Sequence, residues 1–173
     1  EKDAILRHLI EYAERSPMTN EPLQPHRLRE NRGLKSAINT IIPFITMRCF
    51  EQIRLDLAYN NANVKLVGVG AGFTYGSMGS SHHAIEDISI MRSIPNMTVF
   101  CPGDPFETEE LIKRSYEHFG PVYIRLGKNG EPIIHKNKNK IEIGEIISLT
   151  EGDDLILITT SNTLELGKSW VDD

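Results

Sequence analysis

Cysteine is scarce in this chain. Cys49 and Cys101 are the only two in 173 residues, they lack C-x-x-C spacing, and both sit in apolar surroundings. That argues against a disulfide framework and makes a reducing, cytoplasmic setting the default expectation. Long apolar runs are missing too. No stretch approaches the roughly 18 residues needed to span a bilayer, and the opening "EKDAILRHLIEYAERS" is charged throughout, without the apolar centre of a signal peptide. Nor is positive charge in excess: 19 Lys and Arg against 24 Asp and Glu give a formal net charge of -5 with the signs mixed along the length. Nothing in that balance recommends nucleic acid or a membrane surface as partner. Phosphate-cradle motifs are absent as well. The glycines at 68, 70, 72, 76 and 79 fit neither G-x-x-x-x-G-K-[ST] nor G-x-G-x-x-G. What remains is a soluble protein with room for about one domain and a fragment of another.

The patterns that are present alternate between strand and helix. Ile5, Leu6, Leu9, Ile10 and Ala13 recur at helical spacing over 3–15, whereas 17–35, with its prolines and charges, reads as irregular. "AINTIIPF" predicts a short buried strand stopped by Pro43, followed by a helix capped by Thr46 with Met47, Phe50, Ile53 and Leu57 on one face. "VKLVGV" lacks polar alternation, as a strand covered on both faces does. A helix over 83–93 and the strand "MTVFCP" follow. Asp104, Pro105, Glu107 and Gly120 then bracket a helix over 105–119, and "PVYIRL" is the next strand. "GKNGEPIIHKNKNK" has linker composition, after which "DLILITT" and "TLELGKSWVDD" predict another strand and helix. The expectation is an α/β fold, a mostly parallel sheet with helices on both faces, over 1–135. Residues 136–173 read as a linker and the truncated start of a second α/β domain.

The stretch "GVGAGFTYGSMGSSHHAIEDISIMRSIPNM" joins a glycine-rich turn to His82 and His83. Such a turn, at the C-terminal end of a parallel strand, is where open α/β sheets place their ligand crevices. A helix starting at these histidines would keep a nearby ring neutral and able to exchange a proton. The i,i+4 pairs His82/Glu86 and His83/Asp87 raise a metal site, but adjacent histidines diverge on a helix and no third ligand is evident. Simple capping and packing by both rings is the competing reading.

The run from "FITMRCFEQIRLDLAY" through "VKLVGVGAGFTYGSMGSSHHAIEDISIMRSIPNMTVFCPGDPFETEELI" to "GPVYIRLGK" resembles the pyrimidine-binding domain of the transketolase family of thiamine-diphosphate enzymes. The similarity is greatest to the C-terminal section of transketolases encoded as two chains, and "SHHAIEDI", "MRSIPNM" and "PGDPFE" carry it most specifically. The resemblance implies a thiamine diphosphate site shared between chains, this one holding the aminopyrimidine ring and a partner N-terminal section holding the diphosphate and Mg²⁺. It implies a homodimer or heterotetramer and two-carbon ketol transfer between sugar phosphates. His82 matches the family's catalytic histidine, with His83 beside it on the substrate side. Phe44 and Phe50 fall where the family sets aromatic rings against the pyrimidine, and Arg125 where it directs an arginine toward the substrate phosphate. Core packing for the phenylalanines and a buried ion pair for Arg125 are the plainer alternatives.

The departures are specific. The family's catalytic glutamate stands in a "GIAEQ"-like motif that this sequence lacks, and neither Glu21 nor Glu30 has the flanking residues to replace it. The "GDG…N" metal-binding pattern is missing, and Met78 stands where some relatives carry an acid. A catalytically incompetent structural or regulatory relative is therefore the second reading. 1-Deoxyxylulose-5-phosphate synthases and 2-oxoacid dehydrogenase β chains share the same domain.

Overall fold

A computed structural model describes residues 36–128, 130–135 and 141–172. The helix expected over 3–15 and the irregular stretch over 17–35 lie outside the described residues. Four strands, β1 (Ser36–Ile41), β2 (Val64–Val69), β3 (Thr98–Phe100) and β4 (Val122–Leu126), form one sheet in the order β1-β2-β4-β3, every pair parallel. The crossovers carry α1 (Ile42–Thr46), α2 (Phe50–Gln52 continuing as wider π-type turns over Ile53–Tyr59), α3 (Asp87–Arg92) and α4 (Pro105–Glu117). A fifth helix, α5 (Leu164–Asp172), follows later in the chain.

Strand side chains point alternately to the two faces, and both faces are covered. Ile38, Val64, Leu66 and Tyr123 pack with Ile45, Ile53, Leu57 and Met91 beneath α1, α2 and α3. Val122, Ile124 and Phe100 pack on the other face with Val67 and Leu111 of α4. The polar exception in β2 is Lys65, whose Nζ donates to Asn63 Oδ1 at 2.7 Å and to the carbonyls of His118 and Gly120 at 2.9 and 2.7 Å. Buried charge is tolerated there because its donors are satisfied.

Several local expectations need correction. Pro43 does not stop a strand; it lies in the first turn of α1, where a missing N–H costs nothing. Thr46 ends that helix, donating its hydroxyl to Ile42 O at 2.8 Å, rather than capping the next. Met47 is 36% exposed, and Ile45 and Cys49 enter the core in its place. The third helix begins at Asp87, not at 83. "DLILITT" joins no ladder among the described residues, and Leu155, Ile156 and Ile158 are exposed. The Asp104 cap of α4 is as expected, Oδ1 accepting from Glu107 N at 2.7 Å, whereas Glu107 reaches one residue beyond the cap, accepting from Gly103 N at 2.5 Å.

Candidate active site

Register brings the ends of three strands into line, since Ile41 pairs with Val69 and Val69 with Leu126. Phe44 and the glycine loop therefore leave the sheet at the same edge, the C-terminal one. The loop is fastened by its backbone. Gly70 N and Ala71 N donate to Leu126 O at 3.0 and 3.1 Å, and Gly72 and Ala84 exchange both backbone hydrogen bonds at 2.9 Å. Gly70 has φ +95° and passes so close to Tyr75 that a Cβ would overlap its ring, so glycine is required there. Between Gly72 and Ala84 the chain makes two short 3₁₀ turns, Gly76–Met78 and Ser80–His82.

This closed loop sets the rings. The His82 ring meets the edge of Phe44 at 5.0 Å between centroids and 66°, with Tyr75 at 6.4 Å. Ile42, Ala71 and Ala84, each fully buried, cluster as one apolar unit under the loop and the start of α1. Ser81 Oγ lies 3.0 Å from His82 Nδ1. Nε2 makes no hydrogen bond among the described residues, and which nitrogen carries the proton follows from the direction of the serine bond. His83 is turned differently, with Nε2 3.2 Å from Gly76 O and its ring against Phe73 at 5.0 Å. The guanidinium of Arg48 covers the Phe44 ring at 4.0 Å.

Two expected site residues are placed elsewhere. Phe50 packs against the core cluster under α2 and meets neither Phe44 nor His82. Arg125 is only 6% exposed: Nε donates to Asp87 Oδ2 at 2.9 Å, Nη2 to Ala84 O at 3.0 Å, and Nη1 to Ser161 Oγ at 2.7 Å and Asn162 Oδ1 at 3.3 Å. Its donors are turned into the fold, so the phosphate-facing role expected for it has no support in this geometry. The helix-dipole argument for a neutral His82 also falls, because α3 starts five residues later. No group of three His, Cys, Asp or Glu able to hold a metal occurs among the described residues.

Around Arg125 the surroundings are buried and polar. Tyr123 donates its hydroxyl to Asp87 Oδ2 at 2.7 Å, and burial, reinforced by the Asp87 charge, raises the phenol far above its ordinary value. Burial likewise pushes the Cys101 thiol up to about 11, with Arg125 opposing and Asp87 adding to the shift. Sequence reasoning misses Tyr75, Ser81 and Arg48 at the site, and meets Asp87 only as an i,i+4 neighbour of His83. An aromatic inside the glycine loop is a usable signal for Tyr75; nothing local marks the others.

A cleft of about 630 Å³ opens at the same sheet edge but on the α4 side, lined by Val69, Leu126, Asp104, Lys113 and Lys128 among others. Neither histidine lines it, and its ionic groups are partly matched within the fold, Lys113 by Glu109 and Glu110 and Asp104 by His135. His82, whose Nε2 makes no hydrogen bond among the described residues, lies outside this cleft.

Comparison with known proteins places this arrangement. Residues 31–131 match the family described as "Transketolase, pyrimidine binding domain". The chain is 38% identical over 122 residues to one of the subunits of an apulose-4-phosphate transketolase from Actinobacillus succinogenes, covering 70% of this chain and 39% of that protein. A Methanocaldococcus jannaschii protein provisionally described as a transketolase C-terminal section is 43% identical over 119 residues, 68% of this chain and 38% of its own. Among solved structures, a split-gene transketolase described as an inactive β4 tetramer superposes with a TM-score of 0.60 at 40% identity, over 68% of this chain and 37% of that one. The chain thus spans about two fifths of the length of these relatives. With a parallel α/β sheet, a glycine loop carrying the paired histidines and a family match over more than half its length, the chain belongs to the family of transketolase pyrimidine-binding domains.

Proposed function

We propose that this chain supplies the aminopyrimidine-binding half of a thiamine diphosphate site in a two-section transketolase that transfers a two-carbon ketol unit between sugar phosphates. One observation carries the reading: His82, its Nε2 unengaged, stands edge-on to Phe44 at the sheet edge. The fit is to the ring half of the cofactor. Phe44, half-buried at the sheet edge and backed by the buried unit of Ile42, Ala71 and Ala84, suits a flat heteroaromatic ring. In this reading the diphosphate and Mg²⁺ belong to a partner N-terminal section. Relatives described as one subunit or one section of a transketolase, and a β4 assembly described as inactive, support that division of labour.

Thiamine diphosphate, when bound, supplies the carbon nucleophile and the electron sink for carbon–carbon cleavage. This chain's residues orient and move protons. Ser81 fixes the His82 ring through Nδ1, leaving Nε2 to donate to, or accept from, the reacting oxygen of a sugar. Phe44 sets the ring's tilt, and His83, tied to Gly76 O, steadies the loop on the substrate side. Phe73, Met78 and Ile85 are 65%, 58% and 59% exposed in and beside this loop, consistent with a surface that a second section covers. The unit is assigned to a dimer or heterotetramer on the same grounds.

The second reading, a relative that assembles but does not catalyse, is favoured by one feature: the sequence carries no "GIAEQ"-like motif for the family's catalytic glutamate. The two separate on mixing the chain with the diphosphate-binding section of a split transketolase, thiamine diphosphate and Mg²⁺, and following transfer from a ketose phosphate to an aldose phosphate. The catalytic reading expects turnover that falls roughly 10²-fold in kcat on His82→Ala and less on His83→Ala. A stable complex with no turnover establishes the incompetent relative instead.

A further inference from the structure

Arg125 joins three segments that are far apart in sequence, and this arrangement gives it work that charge pairing alone does not explain. Its Nε is paired with Asp87 at the start of α3. Nη2 donates to Ala84 O, and that carbonyl also accepts from Gly72 N in the bridge that closes the histidine loop two residues after His82. Nη1 donates to Ser161 Oγ and Asn162 Oδ1, at the entry to α5. That entry is itself docked closely. Ser161 N donates to Cys101 O at 3.0 Å, Ser161 adopts φ +54°, and Leu164 packs so near Gly103 that a Cβ there would stand 2.6 Å from it. Asn162 also lies near the loop, its Nδ2 being 3.5 Å from where a Cβ on Gly72 would be. The C-terminal segment therefore reaches the loop through Arg125.

We propose that Arg125 is a positioning residue that couples the docking of residues 161–164 to the setting of the His82 loop. A planar fork can serve Asp87, Ala84 and Ser161 at once; a lysine ammonium in the same place is a single point and cannot span them. Where Arg125 is held by Ser161 and Asn162, its second nitrogen stays on Ala84 O and the Gly72–Ala84 bridge is kept closed. Where the C-terminal segment undocks, the guanidinium is retained only by Asp87 and the bridge loses an organising donor. The His82 ring then leaves its edge contact with Phe44. This rests on the proposed role of His82 only for its consequence to catalysis; the coupling itself is a property of the chain alone.

The test uses the purified full chain and two readouts independent of activity: hydrogen exchange at the Gly72 and Ala84 amides, and the NMR position of the His82 Cε1–H, which senses the Phe44 ring. Arg125→Met leaves Asp87 buried and uncompensated and can fail to fold, so the deciding variants are the double substitution Ser161→Ala/Asn162→Ala and the conservative Arg125→Lys. In the double variant, which keeps the Asp87 pair, the two amides should exchange roughly tenfold faster. The His82 signal should move toward its position in Phe44→Leu. Arg125→Lys should show the same signature despite retaining the charge. If exchange at Gly72 and Ala84 and the His82 signal are unchanged in the double variant, or if lysine restores both to wild-type values, Arg125 is only the counter-ion of Asp87 and the coupling is refuted. If these signals shift as expected while the chain reconstituted with a diphosphate-binding section keeps its full kcat, the coupling stands and the catalytic role of His82 falls.

Discussion

Replacing Asp104 by asparagine should destabilise the domain more than most single changes, in a manner that identifies the cause. The carboxylate is fully buried and is the meeting point of two segments: Oδ1 caps α4 through Glu107 N, and Oδ2 accepts from Ile134 N, His135 N and His135 Nδ1, each at 2.9 Å. Asparagine caps helices as well as aspartate does, so the α4 cap survives. Its amide nitrogen, however, would face donors. Two backbone N–H groups are left unsatisfied at about 1–3 kcal/mol each, giving a total of roughly 2–4 kcal/mol once relaxation is allowed. Asp104→Ala removes the cap as well and adds about 1 kcal/mol. Burial by itself would raise the Asp104 pKa, but the hydrogen bonds from Glu107, His135 and Ile134 outweigh it and hold the carboxyl below the ordinary carboxylate range. A depressed folded-state pKa contributes stability that is present above the unfolded value, about 3.9, and lost as pH falls from there through the folded value. Urea unfolding of wild type and Asp104→Asn at several pH values from 7 to 2.5 should therefore give curves that differ by roughly 2–4 kcal/mol at neutrality and converge in acid. A difference that stays constant down to pH 2.5, or that is under about 1 kcal/mol at pH 7, would refute the reasoning.

Two further outcomes follow from the same contacts. Gly70→Ala forces a side chain into the left-handed region and into the Tyr75 ring, and should cost about 1–3 kcal/mol in thermal or urea unfolding while shifting the fluorescence of Tyr75; an unchanged midpoint would show that the loop is not fixed as described. Cys101, with its thiol held near 11 by burial, should react with a thiol reagent at pH 8 at least tenfold more slowly than a free cysteine, and at the free rate only after unfolding; equal rates in the native chain would contradict its burial.

The elements most legible in the sequence are those fixed by local rules. Asp104, Pro105 and Glu107 specify a helix start by short-range hydrogen bonding alone, and α4 runs over Pro105–Glu117. The apolar run of β2, broken only by Lys65, fits a sheet covered on both faces. Pro43 is ambiguous in principle, since a proline that cannot continue a strand is equally suited to begin a helix. The histidine loop escapes sequence reading for a different reason. Its shape depends on the exchange between Gly72 and Ala84, a pairing with no periodic signature, so periodicity alone starts the helix at 83 rather than at Asp87. Arg125 and Phe50 cannot be assigned from their neighbours either. One is decided by Asp87, 38 residues away, and by Ser161, 36 away; the other by the core that collects under α2. Phe44 and His82, by contrast, are marked by type and by resemblance, and they do come together.

The way the loop is held bears on how the site tolerates change. Its two fastenings, Gly70–Ala71 to Leu126 and Gly72 to Ala84, are backbone hydrogen bonds, so neither depends on the identity of His82 or His83. The rings can be altered for chemistry with little loss of fold. Tyr75 aside, the loop's large side chains contribute little to the fold: Phe73 and Met78, like Ile85 beside the loop, stay mostly exposed. Under the proposed two-section assembly, covering these three would remove apolar surface worth about 1.5–3 kcal/mol per residue, offset by the ordering and association costs that make area a poor measure of affinity. Stability of this domain and affinity for its partner are then separable. Substitution of Phe73 or Met78 by a polar residue should weaken the complex while leaving the unfolding midpoint of the isolated chain within about 0.5 kcal/mol of wild type, the range of ordinary surface changes. A large loss of stability in the isolated chain would mean that the loop is packed by its side chains after all, and that its exposure is not an interface waiting to be covered.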